Sequence, residues 1–427
     1  MRIMWDYSRM KQKTKFKQTE IGKIPEDWGM ENLNEIANIT MGQSPPSKTY
    51  NYDKKGLPFF QGRKDFGGKY PSVTVWCSEP KRTANKGDIL ISVRAPIGDI
   101  NIATAKCCIG RGLAALSMKN RNNEFLYHLM RYSKNRLKSV FEGEGTVFGC
   151  LTKEGLNNFE FTIPVNINEQ KAIAKILSDL DSKIELNNQM NKTLESISQV
   201  LFKHWFVDFE FPNEEGKPYK SSGGERVGSE LGEIPKGWET VNLSNIVDYT
   251  FGYPFNSKLF NEKGDGFPII RIRDLPNNDS KVYTTENFEE QYIVTAGDIV
   301  VGMDGEFRAY LWGGRQVLLN QRIVKISPKY DYIPKAYVYF VIAKPLRFIE
   351  NSKTGTTVIH LNKTDLDAIK VLLPDKNILK TYGITAKNLI NLQVKNNMES
   401  INLAKTRDTI LPKLMSGQVR VPVEVRT

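Results

Sequence analysis

The chain contains two copies of one segment, and the second copy follows the first at an offset of 210 residues. The stretch TEIGKIPEDWGMENLNEIANITMG returns as SELGEIPKGWETVNLSNIVDYTFG. The copies share identical residues at Glu20/Glu230, Gly22/Gly232, Pro25/Pro235, Trp28/Trp238, Leu33/Leu243 and Gly42/Gly252. The same offset aligns Gly87-Asp88-Ile89 with Gly297-Asp298-Ile299, and Pro164 with Pro374. A repeat on this scale predicts two similar domains that perform related tasks.

Bulk composition agrees with two folded domains. A chain of 427 residues exceeds one ordinary core, and 40% hydrophobic residues are typical of globular proteins. We expect no membrane span, because no run of 18 uncharged apolar residues occurs. The basic N-terminus lacks the apolar core of a signal peptide, which favours a cytoplasmic location. The cysteines lack metal-ligand spacing and are expected to be buried free thiols: Cys77, Cys107, Cys108 and Cys150.

The formal net charge of +12 suggests an anionic partner. Most of the positive excess lies in the first half, and part of that lies in the N-terminal tail. Charge alone therefore supports nucleic-acid binding only moderately, since phosphate binding depends on local patches that net charge can hide.

Each half is predicted to be a mixed α/β domain that is rich in loops. The β-rich runs are DILISV (88–93), GFPIIRIR (266–273) and DIVVGM (298–303), each bounded by Gly, Pro or Asp. Helices are expected at Phe125–Val140 and Lys335–Phe348. Loops on a rigid sheet are where recognition usually resides.

Each half ends in a long helix with a heptad-like apolar seam. The first follows Pro164, with Asn166 and Glu169 spaced as a capping box, and the second follows Pro374, with Asp375 as the expected cap. The apolar seam residues are Ile173, Leu177, Leu180, Ile184, Leu194 and Leu201 in the first helix, and Ile390, Val394, Ile401 and Leu411 in the second. A broader stripe adds Ile176, Leu186, Met190, Ile197 and Val200.

The two helices are expected to pair antiparallel, as the arms of a pseudo-dimer. A helix of about 38 residues is roughly 57 Å long, enough to hold two domains apart. The polar residues Asn187, Asn191 and Asn397 in the seams are expected to fix the register.

The predicted fold class is α+β, with two α/β recognition domains separated by the helix pair and related by a pseudo-twofold repeat. The expected boundaries in chain order are a basic tail 1–18, a first domain 19–164, a central helical region 165–206, a linker 207–228, a second domain 229–373, a C-terminal helical region 374–418 and a tail 419–427.

No set of residues for bond-making chemistry stands out. The three histidines His128, His204 and His360 lie outside any metal-spaced cluster, and no catalytic triad is evident. The Gly62–Tyr70 stretch resembles a phosphate loop but is out of register and lacks its Ser/Thr. The Ser44–Ser47 stretch is similar to the tetrapeptide of amino-methylating enzymes but lacks the aromatic residue that stacks a flipped base. The sequence therefore indicates a binding protein.

The whole chain resembles the DNA-specificity subunits of type I restriction–modification systems. TEIGKIPEDW and SELGEIPKGW resemble the openings of the family's target-recognition domains. The stretches INEQKAIAKILSDLD and TLESISQVLFKHWFVDF resemble its central conserved region, and RDTILPKLMSGQVRV its C-terminal one. SVRAPIGDINIA resembles one recurrent type of recognition domain, whereas PIIRIRDL, VVGMDGEF and LNQR resemble another.

The resemblance implies a non-catalytic subunit that reads a split, asymmetric sequence of double-stranded DNA, one half per domain, with the helices setting the gap. It also implies two docked modification subunits, which methylate adenine N6 with S-adenosylmethionine, and restriction subunits that use ATP and Mg²⁺. This subunit itself is expected to hold no cofactor and no metal.

Candidate DNA contacts follow from the repeat and from the chemistry of base recognition, in which Arg favours guanine and Gln or Asn favours adenine. Gln61 and Arg63 align with Arg271 and Arg273, and Lys48 aligns with Lys258 as an expected phosphate contact. Arg111 and Arg322 are expected to correspond after a one-residue shift. The full candidate set is Lys48, Gln61, Arg63, Lys64, Arg94, Arg111, Lys258, Arg271, Arg273, Arg308 and Arg322.

Two alternatives stay open from the residues themselves. The first is a helical scaffold or adaptor that does not read DNA, which would leave the elaborate domains without a purpose. The second is a fused DNA-modifying enzyme, which would need a nucleotide-binding or methyl-donor-binding motif.

Overall fold

The computed structural model describes residues 15–19, 22–141, 150–353 and 359–422. Most of the predicted tail 1–18, the repeat residue Glu20 and the end of the tail 419–427 lie outside the described residues. The chain divides into two compact units. Unit 1 comprises Met1–Ser182 and Lys405–Thr427, and unit 2 comprises Lys183–Ala404. Each long helix is therefore divided between the units, in contrast to the predicted layout, because its two ends pack into different cores.

Unit 1 is a mixed α/β domain built mainly from short strands. Its strands are β1 Phe16–Thr19, β2 Gly22–Pro25, β3 Trp28–Asn32, β4 Ala37–Met41, β5 Tyr50–Asn51, β6 Leu57–Phe60, β7 Trp76–Cys77, β8 Thr83–Ala84, β9 Ile89–Ser92, β10 Ile100–Ile102, β11 Cys107–Ile109, β12 Leu113–Met118 and β13 Glu160–Pro164. Its helices before α4 are α1 Leu33–Ile36, α2 Asn123–Phe141 and α3 Lys153–Asn157. The sheet orders are β10-β9-β12-β4 and β5-β7-β6-β11-β8, with the pairs β13-β3 and β1-β2 beside them.

The long helix α4 spans Ile167–Phe206. Asn166 begins it as expected, since its side-chain oxygen accepts a hydrogen bond from the Asn168 backbone at 2.9 Å. Glu169 instead binds Arg420, whose Nε lies 2.7 Å from its carboxylate.

Unit 2 repeats the architecture of unit 1. Its strands are β14 Arg226–Ser229, β15 Gly232–Pro235, β16 Glu239–Asn242, β17 Val247–Phe251, β18 Phe260–Asn261, β19 Phe267–Ile270, β20 Tyr283–Thr284, β21 Ile293–Val294, β22 Ile299–Gly302, β23 Ala309–Leu311, β24 Val317–Leu319, β25 Ile323–Pro328 and β26 Lys370–Leu373. Helices α5 Lys335–Ser352, α6 Lys363–Asp367 and α7 Lys376–Met415 follow. The orders β17-β25-β22-β23 and β18-β20-β19-β24-β21 reproduce those of unit 1.

Strand register matches residue for residue at the repeat offset in most pairs, including β12 with β9 and β25 with β22, whereas the pairs β10-β9 and β23-β22 differ by one residue. Ile89 pairs with Leu116 in unit 1, and Ile299 pairs with Ile326 in unit 2. The one parallel pairing in each five-stranded sheet also recurs, as Ile109 with Phe60 and as Leu319 with Ile270. Because strand register decides which face each side chain occupies, the two units present equivalent positions in equivalent places. The predicted fold class of repeated α/β domains with long helices is confirmed.

Within unit 2 the two long helices run antiparallel and share a polar layer. Asn187 is fully buried, and its Nδ2 donates to Glu399 at 2.9 Å. Asn191 Nδ2 donates to the side-chain oxygen of Asn397 at 2.7 Å. Buried amides must keep these partners to avoid an unsatisfied polar group, so the layer favours one helix register over its neighbours. Gly383 leaves α7 uninterrupted, and Pro334 packs against it where a Cβ would stand.

The segment predicted as a linker, 207–228, packs on the core of unit 2. The ring of Phe211 stacks on Trp238 at 5.0 Å and on Tyr219 at 4.6 Å. Pro212 forms a β-bridge with Pro218, and β14 lies within this segment. Its aromatic residues explain the difference, because such rings gain more by burial than a solvated linker would allow.

Helix α2 buries one histidine against α4. Nε2 of His128 lies 3.2 Å from Ser178 Oγ, and burial lowers the pKa of His128 to about 3. An unfolded histidine titrates near pH 6.5, so stability from this group is complete above that pH and lost as pH falls toward the folded pKa.

We expect the free energy of unfolding to fall by about 2 kcal/mol more in the wild type than in His128→Gln between pH 6.5 and pH 5. Urea titrations at both pH values measure this, and equal losses would contradict it.

Candidate nucleic-acid interface

Four loop segments of unit 2 meet at the ends of its central strands. We call them the unit 2 platform: 252–253, 303–305, 320–322 and 359–361. Backbone hydrogen bonds join them, from Tyr253 N to Leu319 O at 3.0 Å, from Met303 N to Arg322 O at 2.9 Å and from Leu361 N to Met303 O at 2.8 Å. Gly252 lies so close to Asn320 that a Cβ would overlap its carbonyl oxygen. The platform therefore depends on glycine at this position.

Unit 1 carries the same platform, formed by 42–43, 93–95, 110–112 and 150–151. Gln43 N donates to Ile109 O at 3.0 Å, Val93 N to Gly112 O at 2.9 Å and Leu151 N to Val93 O at 2.9 Å. Gly42 takes the place of Gly252, since a Cβ there would overlap the Gly110 carbonyl. The structural repeat therefore includes the backbone hydrogen bonds of these loops as well as the strands.

These bonds correct the expected pairing of Arg111 with Arg322. The equivalent acceptors are the Gly112 and Arg322 carbonyls, so Arg322 corresponds to Gly112 and Arg111 corresponds to Gln321. The one-residue shift inferred from the arginines alone was wrong, because the turn keeps the same length in both units. The two platforms therefore present different side chains from one backbone frame.

The predicted cations of unit 2 differ in how they are engaged. Arg271 is half-buried and binds Asp274 with two nitrogens, at 2.8 and 3.1 Å, and this hydrogen bonding raises the pKa of the Arg271 guanidinium. Its guanidinium is held in the turn by this carboxylate, and its assignment as a DNA contact stays a prediction. Arg273, two residues on, is exposed and has no side-chain partner among the described residues. Arg308 lies 3.1 Å from Glu306 on the surface, and Lys258 is exposed.

Unit 1 shows the same mixture. Gln61, Lys64, Lys48 and Arg94 are exposed, and the side chain of each makes no hydrogen bond or ion pair with the described residues. Arg111 is exposed, and its backbone nitrogen donates to Ser44 Oγ at 3.2 Å.

Arg63 is engaged rather than free. It pairs with Asp99, which also binds Lys134. Burial alone would raise the pKa of Asp99, but hydrogen bonds from Lys134 and Arg63 lower it below its usual value. Arg63 therefore helps to anchor its own loop.

A family model for the "Type I restriction modification DNA specificity domain" matches the chain twice, over residues 25–196 and 235–403. The chain belongs to the type I restriction–modification DNA specificity family. Each match begins near the repeated Ile-Pro-x-x-Trp segment and extends into one long helix, so the family's unit is the repeat described above.

Relatives of this specificity family align over different shares of their length. The chain is 28% identical over 434 residues to the type I restriction enzyme MjaIX specificity subunit of Methanocaldococcus jannaschii, covering 96% of this chain and 97% of that protein. It is 42% identical over 190 residues to a provisionally named MjaX specificity subunit of the same organism, and this match spans 44% of either chain. The crystal structure of a type I S subunit from M. genitalium has the same fold, with a TM-score of 0.58, 16% identity and coverage of 91% of this chain and 96% of that one.

Sequence reasoning missed two residues of the unit 2 platform in this specificity-family chain. Asp304 and His360 form a β-bridge, although they lie far apart in sequence, and Nδ1 of His360 is 2.7 Å from Asp304 Oδ1. The repeat contained a usable signal, because Asp304 and His360 align with Arg94 and Cys150, which form the equivalent bridge in unit 1. Cys150 is exposed, in contrast to the burial expected for all four cysteines, because its β-bridge to Arg94 lies at the surface of unit 1.

The seam residues of the long helices are buried or half-buried: Ile173, Leu177, Leu180, Ile184, Leu194, Leu201, Ile390, Val394, Ile401 and Leu411. By contrast, most of the broader stripe on α4 is exposed, including Leu186 at 50%, Ile197 at 48% and Val200 at 67%.

Among the described residues no group of three or more His, Cys, Asp or Glu side chains is arranged to hold a metal ion. No described helix combines the length and apolar character of a membrane span.

Proposed function

We propose that this chain is the DNA-sequence specificity subunit of a type I restriction–modification complex and that it reads an asymmetric, two-part target. The observation that carries the proposal is the pair of platforms, which share their backbone hydrogen bonds and differ in their side chains. Equivalent frames suit two related recognition events, one per half-site. Different side chains on those frames suit two different base sequences, and hence a target that is not a palindrome.

Base reading is assigned to the exposed side chains at and beside the platforms. We assign Arg273 and Arg94 to guanine edges, which arginine prefers, and Lys48, Lys64 and Lys258 to phosphates, which position the protein without specifying sequence. Arg308 and Gln61 complete the exposed set. Arg63 and Arg271, which are bound to Asp99 and Asp274, support the loops from which their neighbours reach DNA.

Partner docking is assigned to the long helices. Specificity subunits are non-catalytic in type I systems, so methylation and cleavage belong to other subunits. The exposed stripe of α4, formed by Leu186, Met190, Ile197 and Val200, offers apolar surface at helical spacing, which is the form of surface that another helix covers. We assign it to two modification subunits that carry S-adenosylmethionine. ATP and Mg²⁺ are assigned to restriction subunits.

The proposed function is tested by selection from a random DNA library. The chain, purified with its co-expressed modification subunits, is expected to recover duplexes that share two short constant segments at a fixed separation. Recovery of duplexes without any shared sequence would support a scaffold without DNA readout. Methylation or cleavage by the chain alone would support the fused-enzyme alternative.

Arg273→Ala is expected to weaken recognition of one half-site only. Loss of a base contact costs about 1–3 kcal/mol, so binding to the selected duplex should fall by about 5- to 150-fold. The recovered sequences should lose one constant position in one segment. Arg347→Ala is the matched control, because Arg347 is also exposed in unit 2 and has no partner among the described side chains. Equal loss at both half-sites would mean that the two units do not read DNA independently.

A further inference from the structure

Three side chains of the unit 2 platform converge on one point. Nδ1 of His360 lies 2.7 Å from Asp304 and 3.2 Å from Arg322 Nη1, and Arg322 Nε lies 3.7 Å from the second oxygen of Asp304. We call these residues the Arg322 cluster. They come from three loops that only the platform brings together.

The cluster fixes Arg322 without hiding it. The arginine side chain is 55% exposed, whereas that of Asp304 is 29% exposed. The Arg322 carbonyl is held by Met303 N at 2.9 Å, so both ends of the residue are restrained. A guanidinium oriented in this way has lost much of its freedom before a ligand arrives, which lowers the entropic cost of binding.

The backbone of Arg322 is unusual for a residue with a side chain. Its φ is +68°, in the left-handed region that favours glycine and costs other residues about 1–2 kcal/mol. Strained positions of this kind cluster at functional sites, where the surrounding structure maintains them. An arginine at this turn therefore indicates that its guanidinium serves a purpose beyond folding.

Unit 1 presents a different pattern from the same frame. Gly112 stands where unit 2 has Arg322, and the bridge pair is Arg94 with Cys150 instead of Asp304 with His360. Unit 2 therefore combines a cation with a carboxylate acceptor, whereas this part of the unit 1 platform supplies an arginine without an acid. Two half-sites of different sequence require such a difference in donors and acceptors.

We propose that the Arg322 cluster reads one G·C base pair in the half-site bound by unit 2. Guanine presents two acceptors in the major groove, N7 and O6, which match the paired donors of a guanidinium. The paired cytosine presents its N4 amino group, which matches the Asp304 carboxylate. His360 orients the Asp304 carboxylate by donating to it from Nδ1, and Asp304 in turn pairs with Arg322. The inference rests on the proposed function and assigns one of its specificity determinants.

Arg322→Gly is the informative variant, because glycine adopts the left-handed backbone without strain and should leave stability unchanged or raised. In the library selection, the complex carrying this variant should lose the guanine preference at one position of one segment. Its affinity for the wild-type duplex should fall by about 10- to 100-fold. A thermal melt of the variant checks that the fold is intact.

Asp304→Asn tests the acceptor separately. It removes the carboxylate that receives the cytosine amino group, so discrimination should weaken at the same position as in Arg322→Gly. Arg347→Ala again controls for the loss of one positive charge and should leave both segments unaltered. An unchanged motif in a folded Arg322→Gly complex would overturn this inference and leave the proposed function standing. If the wild-type complex itself selects no motif, the proposed function fails.

Discussion

Asp181→Ala is expected to lower the free energy of unfolding of unit 1 by about 3 kcal/mol. Asp181 is almost fully buried on α4 and lies 2.6 Å from Arg407 of α7, which is itself largely buried. Burial alone would lower the pKa of Arg407, but hydrogen bonds to Asp408 and Asp181 outweigh it and raise that pKa. The substitution leaves Arg407 and the nearby Arg131 with only the exposed Asp408 as a carboxylate partner, and a largely buried charge that loses its buried partner is costly.

Hydrogen exchange resolved by segment measures this change and locates it. Amides of α2 in unit 1 should exchange faster in the variant, while those of α5 in unit 2 serve as the internal reference. Asp179→Ala is the matched control, since Asp179 lies on the same helix but its ion pair with Lys175 is exposed. That control should leave the free energy of unfolding almost unchanged, because solvent screens an exposed ion pair. Equal effects of the two substitutions would contradict the assigned role of the buried pair.

Gly252→Ala and Gly42→Ala are expected to abolish recognition of one half-site each. A Cβ at Gly252 would overlap the backbone carbonyl of Asn320, and one at Gly42 would overlap that of Gly110. Backbone cannot move aside as a flexible side chain does, so the loops of the affected platform must shift. Loss of two or more base contacts, each of about 1–3 kcal/mol, should weaken binding of the full target by about 30-fold or more.

The two glycine variants should give mirrored results. Duplexes selected with Gly252→Ala should keep one constant segment, and those selected with Gly42→Ala should keep the other. Gly228→Ala is the control, because nothing lies within 4 Å of a Cβ at that position. If either substitution weakened both segments equally, the platforms could not be separate reading sites.

Much of the fold was predictable because the segment that forms each domain occurs twice in the sequence. The constant offset indicated equivalent domains, and Asn166 and Asp375 marked the starts of both helices. Asp375 accepts a hydrogen bond from the Asn377 backbone at 2.7 Å at the start of α7. Apolar spacing alone could not assign the outer stripe, since Leu186 and Val200 recur at helical spacing and yet are exposed. A periodic pattern finds a helix more reliably than it finds which of two apolar faces is covered.

The candidate site was predictable only in outline. Arg271 and Arg273 are two residues apart and identical in type, but only Arg271 meets a carboxylate in the turn. The sequence contains no sign of that difference without side-chain geometry. Asp304 and His360 were missed because a β-bridge between distant loops joins them. Arg111 was also aligned with Arg322 only because both are arginines. The backbone hydrogen bonds show that Arg322 corresponds to Gly112.

The most direct test of the central claim is the pattern of methylated adenines in cells. A host that lacks type I systems would express the modification subunits with this chain, without it, or with the Gly252→Ala variant. We expect methylation at one two-part asymmetric sequence only when the wild-type chain is present, and a pattern relaxed in one half when the variant replaces it. Methylation that is the same with and without the chain, from an active modification subunit, would contradict the account.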